Sequence, residues 1–262
     1  MKSFLFLAIF AFVFNYSHAQ ENFFKSVDRQ AVIIDHEEEM PSNYEVYEVD
    51  LERMKYSVLD APLEYQNQRS NKLVALPIGN GKFETFEVFE APFLPKNLSI
   101  KYPNIKSYKG INKNGIIHFD ISPNGFNSLY KGVHGVWYND VLKGKNILYN
   151  AKDVEKSSEG HCGVEDHDFE ITDQFMNSPY SSNHRVAKSL KTYRTAVATT
   201  GEYTRIRAGG SKTVAISNIN TAFNRLNLIF QTELGIKFEL IEGNDTLIYL
   251  NEDLDPYPVT NG

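Results

Sequence analysis

The amino-acid sequence predicts an α+β protein in which a β-rich, antiparallel region precedes a strand–helix–strand unit. Two observations carry this prediction. Short segments of alternating apolar and polar residues recur between residues 31 and 150, in a chain with 15 Tyr and 18 Phe residues. After residue 211, the apolar residues instead recur three and four positions apart. Alternation and aromatic residues favour strands, whereas the longer spacing favours a helix.

The first 19 residues are predicted to be a signal peptide. Lys2 gives a positive start, residues 4–14 are almost entirely apolar, and residues 17–19 (SHA) resemble a signal peptidase site. The apolar run is too short to span a bilayer comfortably. We therefore expect cleavage before Gln20 and a secreted or periplasmic protein that has no membrane association after cleavage.

Residues 20–150 are predicted to form the β-rich region. Residues 44–50 (YEVYEVD) and 83–89 (FETFEVF) alternate with the period of two that half-buried strands require. Further strands are predicted at 72–76, 105–109, 116–121, 126–130, 136–138 and 147–149. Turn-forming residues separate these segments, at 79–81 (GNG), 112–115 (NKNG) and 123–125 (PNG). This spacing is typical of an antiparallel sheet.

Residues 151–188 are polar and show little periodicity, so they are predicted to be a linker. The strand–helix–strand unit is predicted within residues 189–262. Its first strand is placed at 193–199, and strands at 236–240 and 246–250 follow the helix. Strand, helix and parallel strand make a right-handed crossover.

The helix of this unit has clear start and stop signals. Ser211 is a suitable N-cap, and Gly235 can end the helix in a left-handed conformation. Five residues form its apolar face: Ile216, Ile219, Phe223, Leu226 and Phe230. The residues that follow are too few to cover both the helix and the strands. We therefore expect this second domain to be incomplete within the 262 residues.

Composition excludes some functions. The net charge of −6 and the lack of a basic cluster argue against nucleic-acid binding. Cys162 is the single cysteine, so the chain cannot form an internal disulfide. Residues 36–40 (HEEEM) resemble half of a zinc-peptidase motif, but Met40 stands at the position of the second histidine and Pro41 would end a helix there. This segment is predicted to be an exposed acidic turn.

The segment richest in metal-ligand side chains is 161–168 (HCGVEDHD). Three interpretations remain open from the residues alone. His161, Cys162 and His167 could hold a metal of their own, or Cys162 could reach a zinc ion in a neighbouring domain, since thiolate is a strong zinc ligand. The third interpretation is a solvated loop with an incidental cysteine.

Two groups of residues resemble metzincin zinc peptidases. Cys162-Gly163-Val164 with Asp166 resembles the cysteine switch of metzincin prodomains, found in matrix metalloproteinases and in the adamalysin/reprolysin group. His161 stands where the matrix enzymes carry a basic residue. The second resemblance is to bacterial reprolysin-like peptidases. Its catalytic-domain part lies at 192–204, 219–227, 238–241, 245–249 and 255–257, and its prodomain part at 103–110 and 119–126.

The resemblance implies a secreted, latent zinc metalloendopeptidase precursor that cleaves protein or peptide substrates with a zinc-activated water. It implies a β-rich prodomain at 20–150, a cysteine-switch segment within 151–188, and the N-terminal part of a metzincin-like catalytic domain from 189. Cys162 would be a metal ligand, the prodomain would contact its own catalytic domain, and activating proteolysis would fall within 175–191.

The family motif H-E-x-x-H-x-x-G-x-x-H does not occur in the 262 residues. The chain alone is therefore predicted to be inactive, and its zinc histidines and catalytic glutamate are not assigned. Two alternatives come from other classes of protein. One is a stand-alone secreted protease inhibitor or chaperone, and the other is a non-catalytic, β-rich surface binding protein.

Overall fold

The computed structural model describes residues 23–31, 40–66, 68–154 and 190–257. Nine strands in the first three ranges form one antiparallel sheet in the order β1-β2-β9-β8-β7-β6-β5-β4-β3. They are β1 (Phe24–Val27), β2 (Glu45–Val49), β3 (Leu73–Gly79), β4 (Lys82–Glu90), β5 (Lys106–Ile111), β6 (Gly115–Ser122), β7 (Gly125–Gly132), β8 (Gly135–Leu142) and β9 (Lys145–Asn150). We call residues 23–154, as far as they are described, the sheet part.

Strands β3 to β9 form a continuous meander in which every neighbour along the chain is also a neighbour in the sheet. All eight strands predicted for this region are confirmed, although their ends shift by one to four residues. Strand β1 was not predicted, because its four residues are too few to show a repeated alternation of apolar and polar side chains.

The sheet curls around an aromatic core, so that its two ends approach each other. Gly79 in β3 lies against the indole of Trp137 in β8 and has a φ of +88°. A side chain at this position would clash with the ring and would also strain the backbone. Beyond it, the N–H of Gly81 donates to both carboxylate oxygens of Glu45 in β2, at 3.2 Å each. The turn between β3 and β4 thus connects one end of the sheet to the other.

Two short helices accompany the sheet. Helix α1 (Leu51–Ser57) begins at Asp50, which accepts a hydrogen bond from the Arg53 backbone, and it places Met54 in the core. Helix α2 (Lys96–Lys101) lies in the connection between β4 and β5. Neither helix was predicted, because each spans fewer than two turns and shows no repeating apolar stripe.

Residues 190–257 contain β10 (Lys191–Thr195), α3 (Gly201–Arg207), α4 (Lys212–Leu234) and β11 (Ile236–Leu240). Strands β10 and β11 pair in parallel and are connected through α4, which confirms the predicted strand–helix–strand unit, although its first strand lies at 191–195 instead of 193–199. The predicted helix ends are confirmed too. Ser211 accepts a hydrogen bond from the Val214 N–H, and Gly235 is left-handed with a φ of +67°.

The strand predicted at 246–250 is wrong. Residues Asn244–Leu247 form a 3-10 turn, and only one bridge joins Ile248 to Thr199. The Asn244 side chain explains the difference. Its amide donates to the Val197 carbonyl and accepts from the Val197 N–H, both at 2.8 Å. These bonds satisfy both backbone groups of Val197, and the chain that follows pairs only through the bridge at Thr199.

Helix α4 contacts β6, β7 and β11, so it connects the two sheets. The expectation that this helix would lack a cover within the chain was wrong, because the outer face of the upstream sheet covers it. The α+β class is confirmed by the large antiparallel sheet and the few helices. Within the described ranges, none of the helices has the length and apolar character needed to cross a membrane.

Candidate functional site

The predicted metal ligand Cys162 lies outside the described residues, as do His161, Asp166 and His167. The assignment of Cys162 as a metal ligand therefore stays a prediction. In the acidic segment 36–40, only Met40 is described, and it packs against the small apolar cluster around Val46 and Ile147.

The described residues do not fit a zinc ion. They contain no group of three or more His, Cys, Asp or Glu side chains arranged to hold a metal. Both described histidines have other partners: His118 Nδ1 lies 2.9 Å from the Asn224 carbonyl, and His134 Nε2 lies 2.9 Å from Glu84.

The most unusual feature of the described structure is a buried polar contact between the outer face of the sheet and α4. Every residue of β6 is buried, on both faces of the strand. Ile117, Phe119 and Ile121 face the aromatic core, as strand alternation requires. His118 and Asp120 therefore face outward, where α4 covers them and each remains only 1% exposed.

Asp120 lies at the centre of this contact. Its Oδ2 accepts a hydrogen bond from Thr221 on α4 at 2.9 Å and another from Asn127 on β7 at 3.3 Å. Burial raises the pKa of Asp120 to about 7, because a charged carboxylate loses the solvation that water provides. The protonated form is therefore favoured far more than in an exposed aspartate.

His118 has the opposite shift. Burial lowers its pKa to about 3, and the nearby Lys109 cation adds to the shift. Since the Asn224 carbonyl can only accept, Nδ1 of the neutral ring donates this bond. The imidazole is thus held neutral against the backbone of α4.

Arg225 extends from α4 across β7 and β8. Its Nη2 donates to Asp140 at 2.6 Å and to the Asn139 carbonyl at 2.9 Å. The guanidinium also lies 5.3 Å from the ring centroid of Tyr138, in a cation–π arrangement. One side chain therefore makes an ion pair, a backbone contact and a ring contact with the sheet.

Beside the polar contact lies an apolar one. Phe93 stacks on Phe223 of α4 with ring centroids 4.7 Å apart and an interplanar angle of 9°. The Phe93 carbonyl also accepts a hydrogen bond from the Leu240 N–H of β11, at 3.0 Å. The other buried members of this cluster are Leu94, Leu98, Tyr102, Ile105, Ala208, Ala215, Ile216, Ile219 and Ile248.

A buried charge cluster forms the third part of the contact. Glu64 lies between two lysines, 3.1 Å from Lys237 Nζ and 3.7 Å from Lys109 Nζ. Burial lowers the pKa of Lys109, and the Glu64 carboxylate opposes this shift. Residues from the β2–β3 connection, β5 and β11 are thereby joined in one ionic group.

Comparison with known proteins finds a similarity for the part of the chain that contains α4. Residues 189–261 match the family model described as Metallo-peptidase family M12B Reprolysin-like. This part of the chain is similar to the reprolysin-like metallopeptidases. No curated protein and no solved structure matched the chain.

The reprolysin-like region, of which residues 190–257 are described, thus contributes α3, α4, β10 and β11. The protein is accordingly related to metalloproteases, a family that normally uses zinc. All three contacts described above join the sheet part to this reprolysin-like region.

Sequence reasoning missed the residues of this contact. Asn220, Asn224 and Asn227 recur at positions i, i+4 and i+7 of α4, on a buried face. A polar stripe at that spacing is a detectable signal, but it does not reveal which partner satisfies it. Asn220 accepts a hydrogen bond from Ser107 of β5, more than 100 residues earlier in the chain, at 2.8 Å.

Proposed function

We propose that the chain is the N-terminal portion of the precursor of a secreted, latent zinc metalloendopeptidase. Residues 1–19 are the signal peptide, 20–150 the prodomain, 151–188 the linker with the cysteine-switch segment, and 189–262 the N-terminal part of the catalytic domain. Such an enzyme hydrolyses peptide bonds in protein or peptide substrates. The observation that carries the proposal is the family match at 189–261, together with the sheet that covers the long helix of that region.

The contact between the sheet and α4 supports the role of the sheet part as a prodomain. A prodomain must bind its own catalytic domain selectively and must also be separable from it. Interfaces of separable partners are more polar than a domain core. The contact made by Asp120, His118 and Arg225 has this character, whereas Phe93 adds an apolar anchor.

Cys162 is the proposed zinc ligand that keeps the precursor latent. A thiolate on the metal occupies a coordination position that a catalytic site needs open. Because the H-E-x-x-H motif does not occur in the 262 residues, the remaining zinc ligands and the general base are proposed to lie outside them. Proteolysis within 175–191 would separate the prodomain covalently from the enzyme.

The test is to characterise the protein that the producing cell exports. Intact mass, N-terminal sequencing and metal analysis of the purified protein answer the question together. We expect an N-terminus at Gln20, a polypeptide longer than the 262 residues, and one equivalent of zinc.

Two results would contradict the proposal in different ways. An exported polypeptide that ends at Gly262 and contains no zinc would favour the stand-alone inhibitor or surface binding protein. A protein that stays in the cytoplasm with Met1 at its N-terminus would exclude a secreted precursor altogether.

A further inference from the structure

We infer that the sheet part and the reprolysin-like region form a noncovalent complex that survives cleavage of the segment between them. The outer face of the sheet recognises α4 selectively, through polar side chains that a helix with an apolar face would leave unpaired. This inference concerns the contact between two parts of the chain, and it does not depend on peptidase activity.

The contacts described above join residues that lie outside the segment connecting the two parts. The contacts of Phe93, Asp120, Arg225 and Glu64 each join a residue of 23–154 to a residue of 190–257. None of these contacts involves a residue of 155–189. A cut in that segment therefore removes tethering but leaves every one of these interactions in place.

The apolar cluster around Phe93 supplies the affinity. Phe93 is 1% exposed, Leu98 is 2% exposed, and both pack with Ile216 and Ile219 of α4. Burial of such apolar side chains is the main favourable contribution to association. The Leu240–Phe93 backbone hydrogen bond fixes the position of β11 relative to the sheet.

The polar side chains supply the selectivity. A helix without a hydroxyl at the position of Thr221 would remove a donor from the buried Asp120, and a helix without Arg225 would remove the partner of Asp140. A buried polar group such as Asp120 that loses its partner is penalised by its full desolvation, which disfavours the wrong helix more than it stabilises the right one.

One consequence concerns regulation. If the chain is the precursor proposed above, proteolysis of the linker alone does not release the prodomain. A second event, such as degradation of the sheet part or displacement by a competitor, is then required for full activation.

The experiment uses the full chain with one recognition sequence for a specific protease substituted within residues 175–189. The protein is cut to completion, and its assembly is then measured by size-exclusion chromatography and native mass spectrometry at decreasing micromolar concentrations. Co-elution of the two fragments supports the inference. Elution as two separate fragments at micromolar concentration overturns it.

A matched pair of variants tests the selectivity. Arg225→Met removes the contact with Asp140, and we expect it to weaken the cut complex about tenfold or more, as loss of a charged hydrogen bond does. Arg205→Met is the control, since Arg205 pairs with Glu252 inside the reprolysin-like region. We expect the control to leave the affinity unchanged.

Equal affinities of the two variants would overturn the selective role of the polar contact. Circular dichroism and thermal melting of the uncut variants establish that both are folded. The co-elution result for the chain without either substitution stands independently of that outcome.

Discussion

His118 and Asp120 lie two residues apart in β6, and their pKa values shift in opposite directions because both side chains are buried. Lys109 and Lys237 are the charged groups near His118, whereas Arg225 and Asp140 are those near Asp120. Each shift makes folding stability depend on pH, since unfolding returns both groups to water.

The two side chains change the free energy of unfolding with opposite dependences on pH. The pKa of Asp120 is about 7 in the folded protein, against an ordinary value of 3.8, so its contribution to stability is fully present below about pH 4 and is lost as the pH rises to 7. The pKa of His118 is about 3, against 6.5, so its contribution is present above pH 6.5 and is lost as the pH falls towards 3. Between about pH 4 and 6.5 these two pH dependences largely cancel.

Two substitutions separate these contributions. Relative to the unsubstituted chain, Asp120→Asn should become progressively more stable as the pH rises from 4 to 7, because the penalty for a buried carboxylate is gone. His118→Asn should become relatively more stable as the pH falls from 6.5, because no buried imidazole has to be protonated. Each change should be on the order of a few kcal/mol at most.

The measurement is the free energy of unfolding of the three proteins by urea titration from pH 4 to pH 7. The difference curves for the two variants should have opposite slopes. Parallel difference curves would show that the two side chains are not buried in the way the structure places them.

Cys162 is the residue on which the proposed latency depends. In the proposed full-length precursor, Cys162→Ser keeps the size of the side chain but loses the soft zinc ligand. We expect premature processing and peptidase activity, measured by cleavage of a quenched fluorescent peptide before any activating protease is added. His161→Arg should instead preserve latency, because it restores the permanent charge that the cysteine-switch resemblance implies at this position. A Cys162→Ser precursor as inactive as the parent would exclude the cysteine as the latency ligand.

The sequence indicated Cys162 because a lone cysteine is conspicuous by residue type in a chain that is predicted to be exported. It did not indicate His118, Asp120 or Arg225 as a group. Their partners lie about 85 to 106 residues away in sequence. No local pattern specifies that pairing, so only the folded structure identifies it.

Among the single elements, α4 shows which structural features can be predicted from neighbouring residues alone. Its N-cap Ser211 and its terminal Gly235 were predicted correctly because capping depends on residues within one turn of the helix end. Its cover was predicted wrongly because the covering surface comes from β5 to β7, far upstream. The failed strand at 246–250 has the same origin, since one asparagine side chain, Asn244, replaces the expected strand pairing.

The cover of α4 predicts slow amide exchange in that helix. We expect α4 to exchange at rates close to those of β6 in the intact chain, since both lie in the same contact. Phe93→Ala should selectively accelerate exchange in α4, because loss of a buried Phe side chain costs about 3–5 kcal/mol. Hydrogen–deuterium exchange with mass spectrometry provides both rates.

Tyr56→Ala is the matched control for this experiment. Tyr56 is 79% exposed on α1, so its removal should leave exchange in α4 unchanged. Rapid exchange of α4 in the unsubstituted chain would contradict the contact with the sheet.

At the scale of the whole molecule, the meander of the sheet could be predicted from turn residues and alternation, because those signals repeat every few residues. The closure of the sheet could not, since it depends on the contact between Gly79 and Trp137 and on the bond between Gly81 and Glu45. The contact between the sheet part and the reprolysin-like region was expected only through the family resemblance. Its polar composition was not foreseen.

The 262-residue chain should show no peptidase activity, with or without added zinc. The sequence contains no H-E-x-x-H motif, and the described residues provide no metal site. A casein cleavage assay with the purified chain is sufficient. Cleavage that a zinc chelator abolishes would show that an active site exists where we have found none.

The sheet part is proposed to keep a zinc peptidase latent, and this is tested by the activity of the exported precursor before and after removal of that part. Cleavage of a peptide substrate should be undetectable for the intact precursor. It should appear once the linker is cut and the sheet fragment is removed, and 1,10-phenanthroline should abolish it. Equal activity before and after removal, or no activity in any state, would contradict the claim.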